Sequence, residues 1–354
     1  MTGEKRRLAF HAAAHFTVDL SCFFAFWSAA LRGEHAPVLI LLYNFLAFAL
    51  QAPLGALIDR TDDARPYTVL GCGLVAWGVL SLAYPIVSVV LLGVGNALFH
   101  VGGAVTSLRH RPGDALFAGI FVAPGALGVA LGTLSGKGGL LSPLFLVLLL
   151  LAAIGCIWLG GSGAPRHCEE IRLPSPMDHI GAGAIMCCLV SIGIRSFAGF
   201  TVETLSGTAM FVLLGATASF FGKFLGGILT RGIPYRIVGL LGVGIGGLVM
   251  AFFPANAVTY GGIFLFNLAM PLTLSAVMAA LPGHAGFGFG LTTLALFLGS
   301  APLYALPDGY KASLPMMAAL TLFAAFLLFF SLRPKQSAAV LPADEFFPQE
   351  QSMQ

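Results

Sequence analysis

The sequence predicts an all-helical membrane protein with twelve transmembrane helices in two pseudo-symmetric six-helix bundles. Of its 354 residues, 58% are apolar and only 9% are charged, whereas about a quarter of the residues of a soluble domain are charged. The mean hydropathy is +0.92. Apolar runs of about 18 to 25 residues, long enough to cross a bilayer, recur along the whole chain.

Charged residues, prolines and glycine clusters divide the apolar runs into two sets of six. The first six spans are expected at 8–31, 36–58, 67–84, 86–108, 114–134 and 142–160. The second six are expected at 181–202, 206–230, 236–253, 257–280, 285–305 and 312–332.

The polar segments between and after these spans define the domains. We expect a first bundle at 1–160, a cytoplasmic linker at 161–180, a second bundle at 181–334 and a disordered cytoplasmic tail at 335–354.

The distribution of Lys and Arg predicts the orientation, because cytoplasmic loops collect these residues. One side of the predicted membrane holds Lys5, Arg6, Arg7, Arg60, Arg65, Arg109, Arg111, Arg166, Arg172, Arg231, Arg236, Arg333 and Lys335. The other side holds only Arg32, Lys137 and Lys311. We therefore expect a plasma (inner) membrane protein with both termini in the cytoplasm.

The two halves repeat in register. A shift of 171 positions places Arg60 on Arg231 and Asn96 on Asn267, and a shift of 170 places Pro112 on Pro282. A parallel duplication of six spans is typical of transporters whose two bundles move about a central site.

A stripe of ionisable residues lies in the first span. His11, His15 and Asp19 are spaced four apart, so they share one helix face. Asp19 is about 18 Å into the membrane at 1.5 Å per residue. An ionised carboxylate there costs about 2.5 to 3.5 kcal/mol in lipid, so it should face a wet cavity or a partner. We predict that Asp19, with His15, binds the coupling proton.

Arg195 is the other charged group near mid-membrane, about 14 residues into the seventh span. A guanidinium keeps its charge, so it needs an anion, and either Asp19 or a substrate can supply it. The sequence allows two interpretations of an Arg195–Asp19 pair: a fixed structural ion pair, or a pair that separates during the transport cycle. Lys223 is within snorkelling reach of a helix end and receives no role.

Further polar residues inside the spans share helix faces. Each can be a packing hydrogen bond between helices or a ligand for a substrate. The predicted substrate site consists of Arg195, His100, Asn44, Gln51, Asn96 and Asn267.

The loop after the second span carries a recognisable motif. Gly55-Ala-Leu-Ile-Asp59-Arg60, followed by Arg65, resembles the signature Gly-x-Leu-x-Asp-Arg loop of the major facilitator superfamily. The resemblance implies that these residues hold one face closed. The second copy keeps Arg231 and has Thr230 at the acidic position. The expected gating set is Gly55, Asp59, Arg60, Arg65 and Arg231.

Three shorter stretches are similar to the fosmidomycin-resistance branch of drug exporters. They are His15-Phe-x-x-Asp19, Phe99-His100 and Arg195-Ser-Phe197, although that branch usually has Pro-Glu where this chain has Val101-Gly102. Around Pro124 the fifth span partly resembles the Gly-Pro-Gly-Gly pattern of proton-coupled antiporters.

We therefore expect a secondary active transporter that works by alternating access, with proton-coupled export of a small molecule or drug as the first hypothesis. Proton-coupled uptake of a small anionic metabolite is the alternative. A metal-dependent intramembrane enzyme, suggested by the spacing of His11, His15 and Asp19, and a passive lipid-handling protein are more distant. The expected partners are a substrate, protons and the bilayer, for a monomer with no nucleic acid, cofactor or metal.

Overall fold

A computed structural model describes residues 3–29, 35–163, 181–205, 208–307 and 309–333. Most of the predicted linker (164–180), Arg32, Arg166, Arg172 and the predicted tail lie outside the described residues.

The described residues of the first half form eight helical elements. They are α1 (Gly3–Ala29), α2 (Ala36–Asn44), a π-helical turn (Phe45–Ala49), α3 (Gln51–Ile58), α4 (Arg65–Leu80), α5 (Pro85–Leu108), α6 (Ala115–Gly138) and α7 (Pro143–Gly160). The second span is therefore α2 and α3 joined through the π-helical turn, a local widening that often marks functional sites.

The second half also forms six spans, but its helices are interrupted at different spans. Its elements are α8 (Ala182–Thr201), α9 (Ala209–Leu229), α10 (Tyr235–Phe252), α11 (Ala257–Asn267), α12 (Ala269–Ala279), α13 (Ala285–Ser300), a 3-10 turn (Ala301–Ala305) and α14 (Leu314–Ser331). Here α11 and α12 together form the tenth span.

The predicted all-helical class is confirmed, and the described residues contain no strand. Eleven helical segments in the described ranges are long and apolar enough to cross a membrane. The remaining predicted span corresponds to α4, which is shorter at 16 residues.

The packing within each half follows the sequence repeat. In the first half, α1 packs on α6 and α7, and α4 packs on α5 and α7. In the second half, the equivalent helices make the equivalent contacts: α8 packs on α13 and α14, and α10 packs on α11 and α14. This correspondence gives the pseudo-symmetry that the repeat predicts.

The most extensive contacts between the two halves are those of α3 with α13 and of α6 with α9. Glycine allows the close approach, since a Cβ added at Gly227 of α9 would lie 2.5 Å from the carbonyl oxygen of Ala115. A buried apolar cluster is shared by both halves, with Ile58 and Phe121 from one and Met278 and Phe289 from the other. This cluster packs the two halves together.

Candidate functional site

His15, Asp19 and His100 form a compact buried group, hereafter the His–Asp cluster. The His15 Nε2 atom lies 3.2 Å from Asp19 Oδ2, and His100 Nε2 lies 3.7 Å from Asp19 Oδ1. The two Nε2 atoms lie 2.8 Å apart. Helix α1 supplies the first two residues and α5 the third, and all three are at least nine-tenths buried.

The outer ring nitrogens fix the tautomers of both histidines. His15 Nδ1 lies 2.8 Å from the carbonyl oxygen of Phe121, and His100 Nδ1 lies 2.8 Å from that of Asn96. A carbonyl only accepts, so each Nδ1 carries a hydrogen and donates it. In two neutral rings both Nε2 atoms would then present lone pairs to each other. A proton or another cation between the two Nε2 atoms would remove this repulsion, with Asp19 as its counter-charge.

The same three residues could also hold a metal ion. Their ligand atoms all lie within 4.8 Å of one another, and Nδ1–H bonds to carbonyls orient histidines in metal sites. The predicted alternative set with His11 does not form, because His11 Nδ1 lies 2.9 Å from its own helix at the carbonyl oxygen of Arg7. His11 lies apart from the cluster.

Two neighbours shape the cluster. The Asn96 side-chain amide donates to Asp19 Oδ1 at 3.2 Å. A Cβ added at Gly125 of α6 would lie 2.5 Å from both Asp19 Oδ2 and His15 Nε2, so only glycine leaves room there. Gly125 follows Pro124, which puts the Pro-containing motif of the fifth span directly against the cluster. Asn96, predicted to bind substrate, thus contacts the carboxylate of the cluster.

A cavity of about 430 Å³ lies in the second half. One part of it, near the end of α8 and in the first half of α9, is lined by Gly199, Phe200, Val202, Thr204 and Gly215. Its polar lining includes Arg195, Ser196, Thr204, Ser219, Lys223 and Asn267. Two of the predicted substrate residues, Arg195 and Asn267, thus line one cavity.

Arg195 is nine-tenths buried in this cavity and weakly satisfied. Its Nη1 donates to Thr273 Oγ1 at 3.4 Å, its guanidinium lies 5.8 Å from the ring centroid of Phe266, and its Nε has no hydrogen-bond partner among the described residues. The expected contact with Asp19 is not formed, because the two histidines and Asn96 surround that carboxylate instead.

Lys223 is a functional candidate that sequence reasoning missed. It lines the same cavity, and its charge interacts with Asp19 on one side and Arg195 on the other. Its distance from the end of α9 suggested a snorkelling lysine. Only the packing of α9 on α6 reveals that it faces the interior.

The end of the molecule that carries Asp59, Asp114, Arg231 and Gly286, hereafter the latch end, is closed. The carboxylate of Asp59 accepts from the backbone N–H groups of Gly286 at 2.7 Å and Phe287 at 2.8 Å, at the start of α13. The N-cap residue of α13, His284, makes no side-chain cap, so Asp59 caps this helix from the other half. Burial raises the pKa of Asp59 above the ordinary 3.8, against the opposing effect of the two N–H donors.

A second contact between the halves lies at the pseudo-symmetric position. Here the second half supplies a base, Arg231, where the first half supplies the acid Asp59. Arg231 Nη2 lies 2.8 Å from Asp114 Oδ2, and Asp114 also caps α6 by accepting from the N–H of Leu116 at 3.0 Å. Asp114 thus supplies the acidic side chain of this contact, since the second copy of the motif has Thr230 at the position of Asp59. Its position immediately before a helix start is the sequence signal that could have identified it.

Gly55, another predicted gating residue, packs against the Asp59 contact, because a Cβ added there would meet the carbonyl oxygen of Gly286. Arg60 and Arg65 lie outside these contacts. Arg60 is exposed, and its side chain has no hydrogen-bond or ion-pair partner in the described ranges. Arg65 pairs with Asp63 at 2.7 Å and lies 4.9 Å from the ring centroid of Trp158, all within the first half. These hydrogen bonds hold the pKa of Asp63 below its usual range although burial opposes ionisation.

Two predicted substrate residues lie away from the cavity. The Asn44 side-chain amide donates to the Tyr304 hydroxyl where the second and eleventh spans meet. Gln51 Nε2 donates to the carbonyl oxygen of Ala47 at 2.5 Å in its own span. Both therefore stabilise helix packing in this structure.

No family model matches the chain, and no curated protein matches it either. Solved structures do. A variant of the E. coli fucose:proton symporter FucP is 12% identical, with a TM-score of 0.63 over 92% of this chain and 97% of that one. A bacterial homologue of the iron transporter ferroportin, in an outward-facing state with soaked iron, is 14% identical, with a TM-score of 0.64 over 94% and 99%. The human organic anion transporter MFSD10 is 16% identical, with a TM-score of 0.65 over 93% and 100%.

The chain therefore has the fold of the major facilitator superfamily transporters.

Proposed function

We propose that this protein is a proton-coupled secondary transporter that works by alternating access. The observation that carries the proposal is the His–Asp cluster. Its two Nε2 atoms, 2.8 Å apart with both Nδ1 atoms committed to carbonyls, share one resident proton inside the membrane-spanning region, and the adjacent Asp19 carboxylate binds the coupling proton. Buried ionisable groups at membrane depth are costly and typically mark ion pathways.

The cycle uses the two latches. We take residues 1–160 and 181–334 as the moving halves and the latch end as the cytoplasmic side, as the Lys and Arg distribution predicts. The present arrangement, with the latches closed, is then outward-facing. A proton enters the cluster from the outside, and release of Asp59 from α13 and of Arg231 from Asp114 opens the inner side.

The cluster also explains why protonation can change the balance between states. Before protonation, the cluster contains the Asp19 carboxylate and one shared proton on the histidine pair. A further proton on Asp19 removes the counter-charge and breaks its bond to His15 Nε2, so the contact between α1 and α5 loosens. Linked titration makes the three residues respond as one unit.

Two directions of transport follow from different observations. The similarity to fosmidomycin-resistance exporters implies antiport, in which a drug leaves as protons enter. The buried Arg195, which has no carboxylate partner in the described ranges, favours proton-linked uptake of a small anion.

Vesicles with imposed pH gradients test the proposal and separate the directions. Purified protein in liposomes is given radiolabelled fosmidomycin or benzoate with an inward or an outward proton gradient. Coupled transport predicts accumulation that reverses with the gradient and is lost in Asp19→Asn, but kept in the loop control Asp63→Asn. If Asp19→Asn still concentrates either compound against its gradient, the cluster is not the coupling site.

A further inference from the structure

The cavity in the second half carries an excess of positive charge. Arg195 and Lys223 both line it, and none of the described residues that line it is Asp or Glu. The carboxylate that interacts electrostatically with Lys223 is Asp19, which already contacts His15 and Asn96. A site with two cations and no acid of its own favours an anionic ligand.

Arg195 gives this charge a definite geometry. A guanidinium presents five N–H donors that match a carboxylate or sulfonate. Among the described residues only Nη1 has an acceptor, in a 3.4 Å contact with the Thr273 hydroxyl. Its Nε is buried without a partner among the described residues. An unsatisfied buried donor is costly, so a ligand that accepts from it gains that energy on binding.

Helix α6 contacts both Lys223 and the His–Asp cluster. A Cβ added at Gly119 of α6 would lie 2.6 Å from the carbonyl oxygen of Lys223, and one added at Gly125, about 9 Å further along the helix, would lie 2.5 Å from Asp19 Oδ2. Lys223 interacts electrostatically with titratable groups of three helices. These groups are Asp19 of α1, His100 of α5 and Arg195 of α8. The first attracts the ammonium group toward the cluster. The other two repel it when positively charged.

We propose that Lys223 is the positioning residue that links binding of a small organic anion in this cavity to proton uptake by the His–Asp cluster. The proposal rests on the proposed proton-coupled function and gives that function its substrate class and its sign. An anion bound to Arg195 attracts Lys223, and the positive potential at Asp19 falls. The cluster then takes one proton from water, and no bond within the anion forms or breaks.

The sign of the linkage follows from the charges. An anion and a proton favour each other's binding, so they travel together and the transport is symport. A cationic ligand would repel the proton and give exchange. The electrostatics of Lys223 therefore favour the uptake of a small anion over the export of a drug.

The remaining cavity wall limits the anion further. Phe266, Met250, Ile263 and Leu296 provide an apolar surface beside Arg195. A volume of about 430 Å³ suits a small ligand rather than a lipid. The ligand class is therefore a carboxylate or sulfonate that carries a compact aromatic or aliphatic group.

Calorimetric titration of the purified full-length protein with benzenesulfonate tests the linkage. This anion stays ionised across the working pH range, so any proton exchanged with the buffer belongs to the protein. Titrations in buffers of different ionisation enthalpy give the number of protons taken up. We expect binding with net proton uptake near neutral pH, similar behaviour with benzoate, and no binding of the neutral methyl phenyl sulfone.

Variants identify the residue responsible. Lys223→Gln should weaken benzenesulfonate binding about tenfold or more, as expected for loss of a charged partner, and should abolish proton uptake. Lys223→Arg should retain both. Lys137→Gln, which removes a lysine stacked 3.7 Å from the Trp27 ring at the far end of α6, should change neither.

Three results would overturn the proposal: neither anion binds the wild-type protein, protons are released on binding, or Lys223→Gln takes up as many protons as the wild type. The wild-type measurement keeps the test valid even if a variant fails to fold. Proton binding by the ligand-free cluster is measured in a separate experiment. A failure of the anion linkage therefore does not decide whether the His–Asp cluster binds the coupling proton.

Discussion

The carboxylate of Asp59 caps helix α13 from the opposite half of the molecule, with Oδ1 accepting from the backbone N–H of Gly286 at 2.7 Å. Helix N-termini favour a negative charge, and α13 has no side-chain cap of its own. One carboxylate thus joins the halves through a contact that exists only while the latch end is closed.

Asp59→Asn should therefore open the latch end. The amide keeps one acceptor but loses the charge and one of the two bonds, and hydrogen bonds to charged groups contribute about 1.5 to 3 kcal/mol. We expect the closed population to fall about tenfold or more, read from electron spin distances between labels at the exposed residues Arg60 and His284. Asp63→Asn, in the same loop but paired within the first half, is the control. An unchanged distance distribution in Asp59→Asn would show that the cap does not hold the halves.

The ion pair between Arg231 and Asp114 should contribute less. Arg231 is 56% exposed, and exposed pairs contribute about 0.2 to 1 kcal/mol. A double-mutant cycle with Arg231→Gln and Asp114→Asn isolates the pair, since asparagine preserves the cap on α6. We expect a coupling energy in that range, reduced by high salt. A coupling larger than that of Asp59 would reverse the assigned order of the two latches.

Gly125 leaves the space that the His–Asp cluster occupies. Gly125→Ala should displace Asp19 or His15, because the added Cβ would lie 2.5 Å from an atom of each. We expect proton-driven accumulation in vesicles to be lost while the helical content by circular dichroism is unchanged. Gly155→Ala in α7 meets no atom within 4 Å and should behave as the wild type. Normal coupling in Gly125→Ala would mean that the cluster is not the coupling site.

The shared proton has a direct spectroscopic consequence. In protein labelled with ¹⁵N-histidine, a hydrogen bond between His15 Nε2 and His100 Nε2 should give a scalar coupling across the two rings near neutral pH. His100→Gln should remove the coupling and leave the remaining ring uncharged. Two neutral rings with free Nε2 atoms in the wild type would contradict the tautomers assigned from the carbonyl contacts. A bound metal would be recognised by elemental analysis and by removal with a chelator.

The sequence alone was sufficient to predict the fold class. Apolar runs of membrane length and a repeat that matches Arg60 with Arg231 predicted the spans and the two bundles. The bounds differ mainly at helix ends, where polar residues continue a helix beyond its apolar part, as in α1 from Gly3. The second span was predicted as one helix, and no residue pattern signalled its π-helical turn.

The site was only partly predictable from the sequence. Helical spacing places His15 beside Asp19, but it says nothing of residues on other helices. His100 was therefore grouped with the substrate residues, whereas the structure brings its ring to the carboxylate. The same limit led to the expected Asp19 contact with Arg195. Asp19 and Arg195 carry opposite charges at similar predicted depth, so the sequence suggests that they pair. Only the packing shows that Lys223 is close enough to interact electrostatically with both.

The latches show a related limit. The signature motif and its repeat included Asp59 and Arg231, which make contacts between the halves, but also Arg60 and Arg65, which the structure leaves at the surface or pairs within one half. The motif gave neither the partner of Asp59, which is the N-terminus of α13, nor that of Arg231, which is Asp114. An N-cap supplied by a residue from a distant part of the chain has no local sequence pattern, so such a contact can be assigned only from the structure.

The most direct test of the central claim is the charge displaced when the pH is stepped across a supported membrane that contains the purified protein without substrate. A proton that binds to His15, His100 and Asp19 within the membrane moves charge across part of the bilayer. We predict a transient current in the wild type that is lost in Asp19→Asn and kept in Asp63→Asn. A current of equal size in Asp19→Asn, or none in the wild type, would contradict the account.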